Sequence, residues 1–280
     1  MKNLKDKVVV ITGAASGIGK ALAQHFAKAG SNLALNDFDE NGLKQVVEEL
    51  EKGSQGKIIS SVFDVSKVEA FEIFAKKVIT EFQRVDIVIN NAGVALARAS
   101  VEDLEYKDLE WVMNINFYGM VYGTKVFLPF LKKQSEAALI NISSVFGLAG
   151  IGHQSAYCAS KFAIRGFTES LRMEALLDFP HVLIHSVHPG GIKTNIVRNS
   201  RWTEENISEN EKEEITKNFE RMFITTPESA AATIVKGVQK KKSKIVIGKD
   251  GRHLDRLVRL MPTGYTKIIL NQMKKESLTD

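Results

Sequence analysis

The sequence predicts an α/β protein whose doubly wound, mostly parallel sheet of seven strands carries helices on both faces and is followed by a C-terminal helical tail. Short apolar runs alternate with helical stretches along the chain, as in proteins built from parallel strands. No linker rich in Pro, Ser and Gly divides the 280 residues, and 44% of them are hydrophobic, enough to bury a large core. We therefore expect one domain over residues 1–249 and a basic amphipathic extension over residues 250–280.

The first strand and helix enclose a glycine-rich turn. The β-branched run Val8–Ile11 is typical of a buried parallel strand, and residues 20–29 have the apolar spacing of a helix. Between them stand Gly13, Gly17 and Gly19, which permit positive φ and close approach of the backbone. Strand, turn and helix N-terminus together predict a site for the pyrophosphate of a dinucleotide.

The second strand, Leu33–Leu35, leads to an acidic residue, Asp37. A carboxylate at this place can accept hydrogen bonds from both ribose hydroxyls of NAD and would repel the additional phosphate of NADP. No Lys or Arg stands at Phe38 or between the first two glycines of the turn to offset that charge, so NAD is favoured over NADP. Asp37 could instead cap the following helix, a role that Asp39 could serve equally well.

Five further apolar runs predict the remaining strands, and helices are predicted near residues 107–132 and 155–179. Polar or glycine-containing motifs follow most of these runs, at the edge of a parallel sheet where ligands bind. The pattern therefore places the chemistry of the protein along one edge of the sheet. The runs are Ile58–Phe63, Ile87–Ile89, Ala138–Ile142, Leu183–Val187 and Ile245–Ile247.

A tyrosine and a lysine four residues apart predict alcohol–ketone chemistry. On a helix, Tyr157 and Lys161 lie on one face about one turn apart. A fixed cation beside a phenol favours the phenolate and brings its pKa down from about 10 toward the working range. Ser144, at a strand end, could hold the substrate oxygen while that oxygen loses or gains a proton. The alternative is a half-buried Tyr157, a solvated Lys161 and a turn residue at Ser144.

In their order and spacing, six motifs resemble the single-domain branch of the short-chain dehydrogenase/reductase family. The resemblance extends from about Lys5 to Gly248 and implies a Rossmann-type dehydrogenase domain. The motifs are Thr12 to Gly19, Asp64-Val65, Asn90 to Gly93, Asn116, the set Ser144, Tyr157 and Lys161, and Pro189-Gly190 with Thr194.

The resemblance implies four catalytic residues. Tyr157 would be the general acid/base, and Lys161 would lower the pKa of Tyr157 and hold the nicotinamide ribose. Ser144 would orient the substrate, and Asn116 would keep an active-site helix and a proton-relay water in place. The neighbouring Asn114 and Ser143 are rivals for the last two roles, but the family spacing selects Asn116 and Ser144.

The same resemblance implies a row of cofactor contacts. An acid after the third strand would meet the adenine amino group, the Asn-Asn-Ala-Gly motif would lie along the adenosine ribose, and a threonine would face the nicotinamide carboxamide. No metal site is predicted. The implied cofactor-binding residues are Gly13, Ser16, Gly17, Ile18, Gly19, Asp37, Asp64, Val65, Asn91, Ala92, Gly93, Tyr157, Lys161, Pro189, Gly190, Ile192 and Thr194.

The expected reaction is hydride transfer between NAD and a hydrophobic secondary alcohol or ketone. Largely apolar residues surround the catalytic set, and His153 could add a polar contact or be a surface loop residue. One alternative is an NADPH-dependent carbonyl or 3-oxoacyl-carrier reductase, and another is a non-catalytic dinucleotide-binding sensor or scaffold. Residues 195–226 would form the lid over the substrate, with Trp202, Phe219, Met222 and Phe223 mixed among Arg198, Arg201, Glu204 and Lys212.

The basic character of the chain is confined to its end. Residues 240–280 hold eleven Lys/Arg and four Asp/Glu and so carry a charge of +7. Residues 1–239 carry −2, which gives the net charge of +5. The spacing of Leu254, Leu257, Val258 and Met261 predicts an amphipathic helix. This helix could pack on its own domain or on a sister subunit, or it could contact a membrane surface or an acyl carrier.

Composition bounds the remaining partners and the compartment. A nucleic-acid partner is not expected, because the tail lacks an aromatic platform. The single Cys158, the polar N-terminal segment and the lack of a long apolar stretch are typical of a cytoplasmic protein. The family resemblance implies a homodimer or homotetramer paired through the helices near 107–132 and 155–179.

Overall fold

The computed structural model of the protein describes residues 1–97, 99–202, 208–221 and 223–276. Its seven strands form one sheet in the order β3-β2-β1-β4-β5-β6-β7. Every pairing between neighbouring strands of this sheet is parallel, so the predicted sheet is confirmed. The strands are β1 Val8–Thr12, β2 Asn32–Asp37, β3 Ile58–Val62, β4 Ile87–Asn90, β5 Ala137–Ile142, β6 Val182–Pro189 and β7 Lys244–Ile247.

Helices connect the strands and cover both faces of the sheet. None of the described helices is long and apolar enough to cross a membrane. A π-helical segment, Asn114–Tyr118, joins α4 to α5. The helices are α1 Gly17–Lys28, α2 Glu40–Glu51, α3 Val68–Phe82, α4 Tyr106–Met113, α5 Gly119–Leu131, α6 Ser155–Asp178, α7 Glu209–Arg221, α8 Pro227–Gln239, α9 Lys249–Leu260 and α10 Tyr265–Glu276.

Strand β1 shows how the sheet divides the core. Successive side chains of a strand point to opposite faces, so Ile11 packs in the cluster that contains Phe26 of α1. Val10 packs in the cluster that contains Phe71 and Phe74 of α3. The continuous apolar run that predicted this strand therefore supplies both layers of the core.

The sheet places the polar motifs along one edge. Gly13, Asn91 and Ser144 follow the carboxyl ends of β1, β4 and β5, and Pro189 ends β6. Strand order reverses between β1 and β4, which is the place where open parallel sheets form a ligand crevice.

The C-terminal tail consists of two helices, where the apolar spacing predicted one. Leu254, Leu257 and Val258 of α9 are partly buried, while Leu260 is 82% exposed. Met261 lies just after the end of α9 instead of inside it. Helix α9 contacts β7, so its apolar side packs on the body of the same chain.

Candidate active site

The turn between β1 and α1 has the backbone that a dinucleotide phosphate requires. Gly17 has φ +53°, and a Cβ there would lie 3.0 Å from Cγ2 of Thr194. Gly13 has φ +66°, and a Cβ there would lie 2.8 Å from Cα of Ala92. Within the described chain, Ser16 makes no side-chain capping bond and the first turn of α1 has no acidic residue. The backbone N–H groups at the N-terminus of α1 are therefore suited to an anion, and the residues of the turn fit the pyrophosphate of a dinucleotide.

Asp37 lies at the end of β2 with its carboxylate turned toward this turn. Its Oδ2 accepts a hydrogen bond from the backbone N–H of Ala15 at 2.9 Å. Asp39, not Asp37, caps α2, because its Oδ1 accepts from the N–H of Gly42 at 3.0 Å. The N-cap of α2 is therefore Asp39, and Asp37 does not serve as the cap.

The Asn90 to Gly93 motif ties β4 to the glycine turn. The Asn91 side chain donates to the carbonyl oxygens of Thr12 and Gly13 at 2.9 and 3.0 Å. The backbone N–H groups of Asn91 and Ala92 donate to the Thr12 hydroxyl. The Asn91 side chain thus supports the turn, while Gly93 lies between Asn116 and Lys161.

The other predicted cofactor residues lie along the same edge of the sheet. Asp64 is exposed, and its carboxylate accepts from the N–H of Ser66 at 2.9 Å, as in a turn. Val65 is buried against Gly119 at the start of α5. Ile192 is buried in the loop after β6, in which Thr194 approaches Gly17.

Ser144 and Tyr157 meet where β5 ends and α6 begins. The Ser144 hydroxyl lies near enough to the Tyr157 phenol to affect its pKa, and the phenol ring packs edge-on against Phe146 with ring centroids 6.0 Å apart. Burial raises the pKa of Tyr157 to about 12 despite the nearby Ser144 hydroxyl, which lowers it. This direction is opposite to the lowering expected from the nearby Lys161 cation, because burial of the phenol outweighs it.

Lys161 lies one helical turn beyond the tyrosine and is almost fully buried, with 4% of its surface exposed. Its Nζ lies 5.4 Å from the centroid of the Tyr157 ring and donates to the carbonyl oxygen of Ile142 at 3.3 Å. Burial lowers the pKa of Lys161 to about 8. The hydroxyl of Ser143 points elsewhere and donates to the backbone carbonyl of Lys161 at 2.8 Å.

Asn116 lies in the π-helical segment and is buried at the site. Its side-chain oxygen accepts from the N–H of Val94 at 2.8 Å, and its Nδ2 donates to the Val94 carbonyl and the Ser160 hydroxyl, each at 3.0 Å. Asn114 is exposed. Because π-helical segments are often found at functional sites, the geometry favours Asn116 over its rival.

His188 is a site residue that the sequence analysis missed. Its Nδ1 lies 3.0 Å from the carbonyl oxygen of Ser144, so it must be the donor, and its Nε2 accepts from the Ser186 hydroxyl at 2.8 Å. Burial lowers the pKa of His188 to about 4, which keeps the ring neutral at physiological pH. The one available signal was a polar residue inside the apolar strand that leads to Pro189.

Arg201 attaches the predicted lid to the body of the protein. Its Nη1 lies 3.0 Å from Oδ1 of the buried Asp108, and its guanidinium stacks 4.0 Å above the Trp111 ring. Its backbone pairs with the loop after β4, where Ala97 N–H donates to the Arg201 carbonyl at 2.9 Å. From the sequence, Arg201 was expected only as one of the charges of the lid. Three other predicted lid groups, Glu204, Met222 and the side chain of Phe219, lie outside the described residues.

A small pocket opens beside Tyr157. It has a volume of about 10 Å³ and is lined by Leu96, Ala97, Ala99, Leu104, His153, Gln154, Ser155 and Ala156. His153 is exposed with φ +60°, and its carbonyl accepts from the N–H of Ala99 at 3.1 Å. His153 is therefore a loop residue that also lines the pocket, and its contact with the substrate stays a prediction.

Comparison with known proteins agrees with this geometry. A family model described as short chain dehydrogenase matches residues 7–205. The chain belongs to the short-chain dehydrogenase/reductase family. Its relatives in that family of oxidoreductases include SadH of Mycobacterium tuberculosis, 40% identical over 271 residues, which are 96% of each chain.

Solved structures of the short-chain dehydrogenase/reductase family share the fold. A family member from Burkholderia phymatum in complex with NAD superimposes with a TM-score of 0.83 at 26% identity, covering 97% of each chain. An alcohol dehydrogenase from Thermococcus sibiricus, complexed with 5-hydroxy-NADP, has a TM-score of 0.71 at 26% identity, covering 85% of this chain and 93% of its own. Both forms of the cofactor therefore occur among the structural neighbours.

Proposed function

We propose that the protein is an NAD-dependent oxidoreductase that interconverts a hydrophobic secondary alcohol and its ketone. The observation that carries the proposal is the cluster of Ser144, Tyr157 and Lys161 beyond the end of β5, in which Nζ of the buried Lys161 lies 5.4 Å from the centroid of the Tyr157 ring. This group lies at the sheet edge that also carries the glycine turn. A proton-transfer group next to a dinucleotide site is the arrangement that alcohol–ketone interconversion needs.

The cofactor would lie along the sheet edge from Asp37 to the loop after β6. The N–H groups of the glycine turn would hold its pyrophosphate, and the Asp37 carboxylate would accept the ribose hydroxyls. Thr194 would meet the carboxamide, and Lys161 the nicotinamide ribose. When bound, the nicotinamide accepts a hydride from the alcohol or supplies one to the ketone.

The protein residues would manage the proton. The Ser144 hydroxyl would bind and orient the substrate oxygen, and the Tyr157 phenol would donate its proton to a ketone or receive one from an alcohol. Lys161 would favour the deprotonated phenol through its charge. Asn116 would act as a positioning residue, because its three hydrogen bonds join the loop after β4 to α6.

The substrate proposal depends on the apolar side chains beside Tyr157. The pocket that they line is small, about 10 Å³, so it can take only one small group of a substrate. Leu96, Ala99 and Leu104 favour a hydrophobic group on the carbinol, since apolar surface leaves water most readily for an apolar wall.

Two alternatives remain in view. An NADPH-dependent carbonyl or 3-oxoacyl-carrier reductase would use the same catalytic group, but the Asp37 carboxylate beside the glycine turn opposes a 2′-phosphate. A non-catalytic sensor or scaffold would not need all four residue types at Asn116, Ser144, Tyr157 and Lys161. The assembled catalytic group therefore favours the enzyme.

The proposals for the partners and the compartment of the protein are those that the sequence predicted. Exposed apolar side chains on α6, including Leu177 at 81% exposure, support a homo-oligomer paired through this helix. The exposed side of α9 carries Arg252, Arg256 and Arg259, whose charges would favour an anionic membrane surface or an acyl carrier. This contact stays a prediction. Cytoplasmic localisation also stays a prediction.

Replacement of Tyr157 by Phe tests the proposed reaction. We expect oxidation of hydrophobic secondary alcohols with NAD to fall by at least about 100-fold, because the phenol that transfers the proton is removed. NADH binding, measured by fluorescence titration, should change little. Tyr122→Phe on α5, which removes a hydroxyl elsewhere, is the matched control. Full turnover by Tyr157→Phe would exclude the proposed mechanism.

A further inference from the structure

The loop after β6 is held by the C-terminal extension. The N–H of Gly190 donates to the carbonyl oxygen of Ile247, at the end of β7, at 3.1 Å. The next N–H, of Gly191, donates to Oδ2 of Asp250 at 2.7 Å. Asp250 lies in the first turn of α9, outside the segment that the family model matches. A charged side chain of the tail therefore fixes a backbone group of the loop that is proposed to hold the nicotinamide.

The surrounding backbone leaves room for this carboxylate. A Cβ atom on Gly190 or on Gly248 would overlap the Asp250 carboxylate. Gly251 is buried, and a Cβ there would lie 3.1 Å from Cγ1 of Val145 and 3.5 Å from the Gly190 nitrogen. The start of α9 thus fits closely between the loops that follow β5 and β6.

The contact is connected to the cofactor site through the loop itself. Ile192 and Thr194 follow Gly191, and the Thr194 side chain faces Gly17 across the crevice. On its other side the loop is joined to Thr225, whose N–H donates to the Gly191 carbonyl at 3.3 Å. The Asp250 bond is shorter and charge-assisted, so it is the stronger of the two restraints on Gly191.

We propose that Asp250 is a positioning residue for cofactor binding. It holds the Gly191 amide, and thereby the loop through Thr194, against the glycine turn. The first turn of α9 is then part of the dinucleotide site, and the extension is required for full cofactor affinity. This inference rests on the proposed function, because it assumes that the loop contacts a nicotinamide.

A merely structural role for Asp250 makes a different prediction. An acidic residue in the first turn stabilises a helix through the helix dipole, and Asp250 occupies that position in α9. Loss of this effect would lower the melting temperature without a selective change in cofactor affinity. Asp255 provides the matched control, because it stabilises the same helix by pairing with Lys244 and Arg259 at 2.5 and 3.2 Å.

The test is fluorescence titration of NADH on the full-length protein, together with melting temperatures. We expect Asp250→Ala to weaken NADH binding, because it removes the acceptor for the Gly191 N–H. The loss should be only about five- to tenfold, because Asp250 is exposed to water. Asp250→Asn keeps an oxygen that accepts from the Gly191 N–H, so it should restore affinity to within about twofold of the wild type. Asp255→Asn should leave NADH affinity unchanged while lowering the melting temperature.

Two outcomes would overturn the inference. One is wild-type affinity in Asp250→Ala, and the other is an equal loss of affinity in Asp250→Ala and Asp255→Asn. Failure of the proposed function is a separate result, since the wild type itself would then bind neither NADH nor NADPH. Binding by the wild type with no effect of Asp250→Ala would reject only the positioning role.

Discussion

At the residue scale, Lys161 carries an ammonium group into a site that is nearly closed to solvent. Burial lowers its pKa to about 8 in the folded protein, below the ordinary value of about 10.4 for the unfolded chain. Between these two pKa values the unfolded chain binds more protons, so stability rises with pH across this window. Below the folded-state pKa the full cost of the buried charge is present.

Lys161→Met should therefore stabilise the protein while removing its activity. At pH 7 we expect the free energy of unfolding to rise by about 1–3 kcal/mol, because the methionine needs no solvation, and the gain should shrink toward pH 10. Urea unfolding at both pH values measures it. Lys125→Met, at an exposed position on α5, should show neither effect. A less stable Lys161→Met at pH 7 would mean that the lysine's contacts outweigh its burial.

Asp37 allows a prediction about cofactor choice. Asp37→Ala should weaken NADH binding by about tenfold and improve NADPH binding, because it removes both a hydrogen-bond acceptor and a repelling charge. Isothermal titration calorimetry with both cofactors measures the ratio. Asp39→Ala, which removes only the cap of α2, is the control and should leave the ratio unchanged. Wild-type preference for NADPH would reject the Asp37 argument.

Single residues of the site differ in how far their roles could be predicted from the sequence. Spacing alone selected Ser144 over Ser143, and in the structure the Ser144 hydroxyl lies near the Tyr157 phenol while the Ser143 hydroxyl donates to the Lys161 backbone. The role of His188 could not be predicted, because its partner, the Ser144 carbonyl, is 44 residues away in sequence. The pKa of Tyr157 depends on burial, which no local pattern reports.

At the element scale, the segment after β6 is attached to α4 through Arg201. The guanidinium lies against the Trp111 ring and pairs with Asp108, which is 3% exposed. A buried carboxylate needs such a partner, since an unpaired charge in that place is costly. The attachment therefore holds this segment beside Leu96, which lines the small pocket next to Tyr157.

Arg201→Ala should loosen this attachment and weaken substrate binding. We expect KM for the alcohol to rise by roughly five- to twentyfold, because the wall of the pocket is less ordered, with a smaller change in NADH affinity. Steady-state kinetics and NADH titration separate the two effects. Arg201→Lys, which keeps the charge but loses the planar stacking, should fall between the two. Arg198→Ala in the same segment is the control, and equal effects of both alanine variants would contradict a specific role for Arg201.

The tail shows why element boundaries were harder to predict than elements. The apolar spacing indicated one helix through Met261, but Pro262 disfavours helical backbone at the residue before it. Met261 has φ −132° and ψ 71°, and the chain resumes as α10 only at Tyr265. The proline was visible in the sequence, but the prediction rested on the apolar spacing alone.

At the scale of the whole molecule, an apolar stripe on α6 faces away from the core. Met173, Leu176 and Leu177 are 66%, 62% and 81% exposed and lie on one face of the helix. Exposed apolar stripes of this kind mark interaction surfaces, and α6 is one of the two helices that the family resemblance assigned to subunit pairing.

Leu177→Glu should therefore dissociate the proposed oligomer. The glutamate would place a charge in an apolar interface, and light scattering after size exclusion should show a shift to a smaller species at about 10 μM. Ile73→Glu changes an apolar residue on α3 that is 68% exposed and lies outside the predicted interface, and it should leave the mass unchanged. A wild-type protein that is monomeric at this concentration would reject the homo-oligomer.

The sequence by itself determined the sheet, the order of the motifs and the family. These follow from local patterns, since apolar runs form strands and polar motifs after parallel strands must share one edge. The tertiary structure decided what depends on distant partners: the pKa values of Tyr157 and Lys161, the support of Ser144 by His188, the attachment of Arg201 and the hold of Asp250 on Gly191. Asp250 and Gly191 are 59 residues apart, and Arg201 and Asp108 are 93 apart. Only folding brings such groups within hydrogen-bond distance and sets their exposure to water, so no pattern along the chain could report them.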